Sequence, residues 1–467
     1  MNANSSLLLI CLFASCLTNA SAEPPASDSK TSKSSKAANV NWPSFRGPNA
    51  AGVRDHSKLP LRWDVESGQN VRWKTPIEGF GHSSPIVWGE QLFVTSAISS
   101  AGNDDVEIGL FGSGDASQDR SKQSWIIACL NQSTGKVVWQ ESPISGVPQD
   151  KRHTKASYAN STPATDGRYV VAIFGSEGVY CYDVKGNLVW KRDLGRLDAG
   201  AYDIPSYEWG TGSSPIIYKD LVILQIDTQE RQFICGLDIK SGKTVWETPR
   251  DDFPSWATPT IVEHDGHVEL VANGSKRIRG YDPASGKELW TLGGSSKITV
   301  PTPLFHRKKI IVCSGRHPES PIFAIRPGSS GDITLSGRAT SNEQVAWSLT
   351  RFGPYISTPI AYRNSLFVLH GNGVFTSYDI ENGHSNYRYR VPHRGGGFSA
   401  SPVAADGKVY AASEDGDVFV VQIDPDFEVL STNTMKEPIF ATPAIAQETL
   451  FVRTLKHVVA VGKSPVN

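Results

Sequence analysis

Short apolar runs separated by turn residues follow one another along most of the chain. Residues 221–225 and 232–238 are a typical pair, divided by a polar segment. Runs of this length, bounded by Gly, Pro, Asn or Asp, are typical of β-strands. The sequence also contains 42 Gly and 29 Pro but only 2 Met, which indicates frequent turns and speaks against a helical bundle. We therefore expect a chain built of many short strands.

A Ser-Pro or Thr-Pro dipeptide precedes an apolar run at eight places along the chain. Proline has no N–H to donate to a sheet, so it is typical of the first residue of a strand. The hydroxyl before it can satisfy nearby backbone groups. We interpret each dipeptide as the start of one repeat. The eight prolines are Pro85, Pro163, Pro215, Pro259, Pro303, Pro359, Pro402 and Pro443.

A tight turn containing Gly, followed four residues later by an aromatic residue, is the second repeated pattern. It occurs at 135–139, 186–190, 242–246 and 286–290, each ending in Trp, and at 383–387, which ends in Tyr. Gly supplies the positive φ that such a hairpin turn requires, so the aromatic side chain takes a fixed place on the outgoing strand. We expect the outer-strand tryptophans to pack between neighbouring repeats. They are Trp73, Trp139, Trp190, Trp246, Trp290 and Trp347.

The two patterns divide the chain into eight units of about 49 residues, which is the length of a propeller blade. Each unit has four strand-like runs, so the sequence predicts an all-β fold, an eight-bladed β-propeller of four-stranded antiparallel blades. Only three such runs follow Pro443, and the run 71–73 has no blade of its own. We expect this N-terminal strand to complete the last blade and close the ring.

The residues before the ring predict export and an extension. An apolar run at 7–17 and small residues at Ala20 and Ala22 predict a signal peptide at 1–22. Residues 23–40, rich in Ser and Lys, predict a disordered linker. We assign 41–70 to an N-terminal extension that packs on the propeller, 71–463 to the propeller and 464–467 to a tail. The protein is thus expected to be periplasmic or secreted, with a lipid anchor at Cys16 as the alternative.

Charge and cysteine spacing narrow the classes of function. The sequence has 46 Lys and Arg against 47 Asp and Glu, a net charge of -1. The protein therefore has no overall positive potential to attract the phosphate backbone of a nucleic acid, and we expect no nucleic-acid partner. The run at 7–17 is too short for a transmembrane segment, and no later one is long enough. We expect a monomer without a metal site. Four cysteines outside the leader, Cys129, Cys181, Cys235 and Cys313, lack metal-ligand spacing and are expected as small buried residues, with disulfide formation left open.

The turns at 238–246 and 282–290 both read Asp-x-x-Ser-Gly-Lys-x-x-Trp. They resemble the repeats of pyrroloquinoline-quinone (PQQ) propellers, which include quinoprotein alcohol dehydrogenases and a non-catalytic propeller lipoprotein of the outer-membrane barrel-assembly machinery. The stretch Trp-Pro-Ser-Phe-Arg-Gly-Pro at 42–48 is similar to exported PQQ-binding-like propellers. The resemblance implies PQQ with Ca²⁺ as a possible cofactor.

The residues that serve the quinone in those dehydrogenases are not found in this sequence. No two cysteines are adjacent, so the vicinal disulfide over the quinone has no counterpart, and there is no CxxCH haem motif. We assign no catalytic residue and leave enzyme activity open, with the balance against it. Acidic residues in the loops are expected to be solvated: Asp198, Asp203, Glu208, Asp251 and Asp252.

The loops that lead into the eight Ser/Thr-Pro dipeptides crowd one mouth of the central channel in a propeller. They carry the candidate ligand-binding residues His82, His153, Lys155, Tyr158, Trp209, Trp256, Arg351, Tyr355, Arg394 and Phe398. Aromatic faces with interspersed cations suit a flat, anionic or sugar-like ligand. The alternative is that these side chains plug the channel and pack the inner strands. An insertion at 99–122 either gates this mouth or has no role there.

These observations support three functions of different classes. The first is an exported, non-catalytic binding or scaffolding propeller of the bacterial envelope, whose partner is an unknown protein or glycan. The second is a PQQ-dependent oxidoreductase or a degenerate relative of one. The third is a carbohydrate-binding or carbohydrate-acting propeller that uses the aromatic mouth.

Overall fold

Strands make up nearly all the regular structure of the computed structural model, which describes residues 41–463 apart from 103–104, 110, 112–113, 205 and 424–425. The predicted signal peptide at 1–22, the linker at 23–40, the lipid-anchor alternative at Cys16 and the tail at 464–467 lie outside the described residues. Within the described part of the chain, no helix is long and apolar enough to cross a membrane.

The strands form eight sheets, one for each blade. The first strand along the chain is β1 (Val71–Pro76). Blade 1 contains β2 (Ile86–Trp88), β3 (Gln91–Ser99), β4 (Gln123–Asn131) and β5 (Val137–Gly146). Blade 2 contains β6 (Ala164–Thr165), β7 (Tyr169–Ile173), β8 (Val179–Asp183) and β9 (Leu188–Arg192). Blade 3 contains β10 (Ile216–Tyr218), β11 (Leu221–Asp227), β12 (Gln232–Asp238) and β13 (Thr244–Pro249). Blade 4 contains β14 (Thr260–His264), β15 (His267–Ala272), β16 (Arg277–Tyr281) and β17 (Glu288–Gly293).

The second half of the ring repeats the arrangement. Blade 5 contains β18 (Leu304–His306), β19 (Lys309–Cys313), β20 (Ile322–Ile325) and β22 (Val345–Leu349), and β21 (Gly331–Asp332) joins blade 4. Blade 6 contains β23 (Ile360–Tyr362), β24 (Ser365–Leu369), β25 (Val374–Asp379) and β26 (Ser385–Arg390). Blade 7 contains β27 (Val403–Ala405), β28 (Lys408–Ala412), β29 (Asp417–Gln422) and β30 (Glu428–Thr434). Blade 8 contains β31 (Ala444–Ala446), β32 (Thr449–Arg453) and β33 (His457–Val461). Two short 3-10 helices lie at Pro48–Ala50 and Gly175–Glu177.

Strand β1 is the outer strand of blade 8. It runs antiparallel to β33, with Trp73 opposite Ala460 and Lys74 opposite Val459. The predicted eight-bladed propeller and its closure by an N-terminal strand are therefore confirmed. Blade 4 differs from the prediction because β21 adds a fifth strand, parallel to β17. The long connection between β20 and β22 supplies that strand. In blades 1–4, 6 and 7 a short connection joins the third strand to the fourth.

The core lies between the faces of adjacent blades. One buried cluster joins Val171 and Cys181 of blade 2 to Val222 and Leu237 of blade 3. Successive side chains of a strand point to opposite faces, so each blade contributes one set of apolar residues to each neighbour. The four cysteines belong to four different blades and are buried, free thiols, which is how the sequence analysis expected them.

Each turn glycine of the second sequence pattern packs on the outer-strand tryptophan of the preceding blade. A Cβ on Gly135 would lie 2.5 Å from the ring of Trp73, and one on Gly242 would lie 2.7 Å from the ring of Trp190. Both glycines also have φ near +70° (70° and 68°). Glycine is required twice over at these turns, for the backbone conformation and for the close contact. The same contact joins Gly186 to Trp139, Gly286 to Trp246 and Gly383 to Trp347.

Most of these tryptophans also donate a hydrogen bond to the neighbouring blade. The indole N–H of Trp190 donates to the carbonyl of Ile239 at 2.7 Å, and that of Trp73 donates to Gln132 at 2.9 Å. The indole nitrogen of Trp246 is buried and has no hydrogen-bond partner among the described residues. Trp190 and Trp246 are equally buried, each 8% exposed, so they differ mainly in this hydrogen bond.

Substitution of these two tryptophans by Phe is expected to give unequal losses of stability. Trp190→Phe leaves the Ile239 carbonyl without its indole donor, whereas Trp246→Phe removes no hydrogen bond. We expect Trp190→Phe to cost about 1 kcal/mol more of the free energy of unfolding, or about 1 °C in melting temperature for a chain of this size. Denaturant titration followed by circular dichroism measures the difference. Equal losses would show that the indole bond does not contribute to blade packing.

The segment before β1 crosses the channel where the inner strands end. Trp42 pairs with Val87 of β2 in blade 1, and Val53 pairs with Ala404 of β27 in blade 7. The carbonyl of Pro43 accepts a hydrogen bond from Thr165 at 2.9 Å. Trp42 is fully buried by these contacts. The segment therefore connects blades 1, 2 and 7 across one end of the channel.

Candidate functional site

A cavity of about 800 Å³ opens at the other end of the channel, where the inner strands begin. We call it the mouth cavity. Its floor includes residues of the Ser/Thr-Pro dipeptides, and its walls are formed by the loops that precede them. Every blade except blade 5 contributes a dipeptide hydroxyl to the lining: Ser84, Thr162, Ser214, Thr258, Thr358, Ser401 and Thr442.

The dipeptides encircle the channel, and at six of the eight steps around it one blade is bonded to the next through a dipeptide hydroxyl. The backbone N–H of Ser84 donates to Oγ1 of Thr162 at 2.9 Å, and the N–H of Thr162 donates to Oγ of Ser214 at 2.9 Å. The same bond recurs from Ser214 to Thr258, Thr302 to Thr358, Thr358 to Ser401 and Ser401 to Thr442, at 2.9–3.0 Å. The hydroxyls thus satisfy backbone groups of the preceding blade. We call this the hydroxyl ring.

Phe45 and Arg46 approach the hydroxyl ring from within the channel. Phe45 lines the mouth cavity, and Arg46 is fully buried. The Arg46 guanidinium donates to the carbonyls of Pro359 at 2.8 Å and Pro402 at 3.1 Å, next to the ring residues Thr358 and Ser401. Burial lowers the pKa of Arg46 to about 9, so it remains a cation at neutral pH. The N-terminal segment therefore closes the lower end of the cavity.

Aromatic side chains form one wall of the cavity. The ring centroids of Trp209 and Trp256 are 5.8 Å apart, with the rings tilted by 44°. Their indole N–H groups donate to the carbonyls of Gly114 at 3.1 Å and Gly210 at 2.7 Å. Because the N–H edges are bonded to the protein, the aromatic faces are what these side chains present to a ligand.

Described residues of the blade 1 insertion, Phe111 and Gly114, also line the cavity. Phe111 lies 5.6 Å from Tyr355, and the Arg316 guanidinium lies over both rings at 5.4 and 5.7 Å. The insertion is held by the N–H of Gly109, which donates to the Glu414 carboxylate at 2.8 Å, and by the pairing of Ala116 with His153. The insertion, whose role the sequence left open, therefore lies against the mouth.

Three ionisable side chains of the cavity lining, Lys155, His153 and His82, are buried or paired. Lys155 forms an ion pair with Glu414 at 2.7 Å, and both side chains are nearly buried. Burial also raises the pKa of the Glu414 carboxyl. Burial lowers the pKa of His153 to about 4, and Nδ1 of this imidazole accepts a hydrogen bond from the N–H of Lys155. Burial and the nearby cations, Arg453 first among them, keep the pKa of His82 well below its usual value. Both histidines are neutral at pH 7.

Six of the ten candidate residues from the sequence line the mouth cavity: His82, His153, Lys155, Trp209, Trp256 and Tyr355. The other four lie elsewhere. Tyr158 packs on Trp125 and donates to the Asp119 carbonyl. Phe398 is 2% exposed and packs on Phe419 in the core.

Arg351 and Arg394, the two remaining candidates, are exposed residues outside the cavity lining. Arg394 forms an ion pair with Asp417 at 3.0 Å, and Arg351 pairs through its backbone with Ser320. Their loops reach the mouth, but the side chains do not point into the cavity.

The loop acids differ in environment more than the sequence suggested. Asp203 lines the mouth cavity, and Asp251 is an exposed partner of Lys276. Asp252 was expected to be solvated, but its side chain is fully buried and accepts hydrogen bonds from Arg250 at 3.3 Å and Arg279 at 2.7 Å. The two guanidiniums compensate its charge, which explains how a carboxylate is accommodated in the core.

The repeat pattern does not predict several of the residues that line the mouth cavity. Phe45 comes from the segment before the ring, Phe111 from the blade 1 insertion, and Tyr202, Lys297 and Arg316 from loops of differing length. None of them occupies a repeated position relative to a Ser/Thr-Pro dipeptide. Only the fold brings them to the same cavity.

The residues of the cavity do not fit a calcium–quinone site. Calcium takes six to eight oxygen ligands, several of them carboxylates, and Asp203 is the one carboxylate residue among the described residues that line the cavity. Within the described residues, no group of three or more His, Cys, Asp and Glu could hold a metal ion. The cysteines lie in separate blades, so no vicinal disulfide can form over a quinone.

Comparisons with known proteins agree with the observed fold. A family model described as "Outer membrane protein assembly factor BamB" matches residues 122–331 and 329–463. The crystal structure of BamB from Moraxella catarrhalis is similar over 80% of this chain and 99% of its own, with 16% identity and a TM-score of 0.50. The computationally designed Ika8 protein is similar over 76% of this chain and 96% of its own, with 11% identity and a TM-score of 0.50. At these identities the two structures show the fold alone. No curated protein sequence matches significantly.

Proposed function

The chain belongs to the family of the outer membrane protein assembly factor BamB, and on that premise we propose that it is an exported, non-catalytic binding and scaffolding propeller of the bacterial envelope. The family description names an assembly factor of outer-membrane proteins, which supports an envelope location and a partner found there. The expected signal peptide at 1–22 agrees with this location. The partner is a protein or a glycan of the envelope.

The observation that carries this proposal is the chemistry of the mouth cavity. A general base must have a pKa near the working pH, and its side chain must be able to accept a proton from the substrate. Burial lowers the pKa of His153 to about 4, which is far from neutral pH. Lys155 forms an ion pair with Glu414. The aromatic faces of Trp209 and Trp256 offer contact area for a bound group. These features favour binding over reaction.

Photo-crosslinking from the rim of the cavity tests this proposal in the cells that produce the protein. A benzophenone side chain at position 297, in place of the exposed Lys297, is expected to form an adduct with a specific envelope component. The same probe at position 245, in place of the exposed outer-strand residue Val245, is the matched control and should give none.

A second variant, which carries both the probe at position 297 and Trp256→Ala, tests whether the adduct forms through binding in the mouth cavity. The substitution removes one aromatic face, so we expect the yield of the adduct to fall at least about fivefold, as stacking on one such face contributes about 1–3 kcal/mol. Adducts of equal yield from positions 297 and 245, or a yield insensitive to Trp256→Ala, would contradict binding in the mouth cavity. A glycan adduct would favour the carbohydrate-binding alternative.

A further inference from the structure

The hydroxyl ring presents unused donors to the mouth cavity. Each of six ring oxygens accepts a backbone N–H from the preceding blade, so its own proton remains to be donated. None of the six hydroxyls donates to another group in the part of the chain that the structure describes. The six residues are Thr162, Ser214, Thr258, Thr358, Ser401 and Thr442. Six O–H donors distributed around the channel favour a ligand group with several acceptor oxygens.

Two buried arginines beside the ring have only neutral partners among the residues that the structure describes. Arg46 donates to the carbonyls of Ala50, Pro359 and Pro402. Arg453 donates to the carbonyls of Ser83 at 3.1 Å and Thr95 at 2.6 Å, and Ser83 adjoins the lining residue Ser84. Neither guanidinium lies within 4.0 Å of a carboxylate among the described residues. A buried charge without a counter-charge is costly, so an anion in the cavity would be stabilised by both.

A third cation lies on the wall. The Arg316 guanidinium lies over Phe111 and Tyr355 without a carboxylate partner in the described part of the chain. An arginine placed on aromatic rings keeps its N–H edge free for a planar oxyanion. Two acids oppose these cations. Glu414 is paired with Lys155, and Asp203 is the one acid among the described lining residues.

We propose that the mouth cavity binds an oxyanion, a carboxylate, sulfate or phosphate group, carried on an aromatic or sugar ring. The oxygens of this group face the hydroxyl ring and Arg316, and the ring lies against Trp209 and Trp256. This inference rests on the proposed function, because it names the ligand chemistry of the same cavity. It adds that charge, and not only aromatic contact, selects the ligand.

Two fluorescent dyes with the same aromatic body test the role of charge. 8-Anilino-1-naphthalenesulfonate carries a sulfonate, and N-phenyl-1-naphthylamine does not. Titrated into residues 41–467, the sulfonate dye is expected to bind once per chain and at least tenfold more tightly than the neutral dye. Displacement of that dye by benzoate, phenyl sulfate and phenyl phosphate, with benzamide as the neutral control, then identifies which oxyanion the site prefers.

Four variants locate the dye. Arg316→Met should weaken the sulfonate dye at least fivefold and leave the neutral dye unchanged, and Arg316→Lys should restore part of the affinity. Lys308→Met removes a charge from an exposed hairpin turn of blade 5 outside the cavity lining and should have no effect on either dye. Trp256→Ala should weaken both dyes.

Several results would overturn the inference. The two dyes could bind with equal affinity, or the sulfonate dye could show no saturable binding. The affinity of the sulfonate dye could also be unchanged by both Arg316→Met and Trp256→Ala. If the dyes bind equally and Trp256→Ala weakens both, the oxyanion inference fails while binding in the cavity stands. The crosslinking experiment tests the proposed function independently of both dyes.

Discussion

Removal of residues 41–76 is expected to unfold the entire ring in one cooperative transition. The deletion takes away β1, which closes blade 8, together with the segment that crosses the channel. Trp42, Trp63 and Trp73 are 0%, 5% and 9% exposed, and loss of each buried tryptophan costs roughly 3–5 kcal/mol. The combined loss is comparable with the whole free energy of unfolding of a typical protein, about 5–15 kcal/mol. Strand β33 would also become a bare sheet edge.

The comparison that measures this effect is between residues 41–467 and residues 77–467, by calorimetry and circular dichroism. A synthetic peptide of residues 41–76 added to the shorter chain is expected to restore the native signal, because it supplies the missing strand. An unchanged melting curve for residues 77–467 would show that the ring does not depend on its N-terminal closure.

Trp290→Ala is expected to be the most damaging single substitution among the outer-strand tryptophans. Trp290 is fully buried, and its indole N–H donates to the Glu269 carboxylate at 2.6 Å. Glu269 is itself 3% exposed, and when the indole is removed its one remaining donor among the described residues is the N–H of Gly328, at 2.9 Å. The cavity and the poorly solvated carboxylate together cost about 5 kcal/mol.

Two matched variants separate these contributions. Trp290→Phe keeps most of the ring volume but loses the N–H, so we expect a loss of about 2 kcal/mol. Trp139→Ala removes a half-buried tryptophan at the equivalent position of blade 1 and should cost less than Trp290→Ala. Guanidinium titrations of the three variants give the order. A loss for Trp290→Ala no greater than that for Trp139→Ala would contradict the account of blade 4.

The ring and its closure were predictable because they are encoded locally and repeatedly. Each Ser/Thr-Pro dipeptide marks a strand start through the missing N–H of proline, and each turn glycine fixes the distance to an outer-strand tryptophan. The fifth strand of blade 4 was not predictable. It comes from the connection between β20 and β22, which has no repeated pattern, and its pairing with β17 is a tertiary contact.

The mouth cavity was predictable only in part. A repeat pattern shows which loops reach the mouth, but the direction of each side chain depends on its neighbours. Phe398 therefore turns into the core and Arg394 toward Asp417, although both loops lie at the expected end of the ring. Arg46 and Phe45 reach the channel from a segment outside the repeats. The partner of each ring hydroxyl, in the preceding blade, is likewise visible only in the fold.

Calorimetric titration of residues 41–467 with PQQ, with and without Ca²⁺, tests the central claim of binding without quinone chemistry. PQQ is itself an aromatic oxyanion, so binding alone does not decide the question. The account predicts that Ca²⁺ changes neither the heat nor the affinity, and that the mixture does not reduce an artificial electron acceptor when alcohols or sugars are added. Saturable binding that requires Ca²⁺, together with reduction of the acceptor, would contradict it and identify a quinone-dependent oxidoreductase.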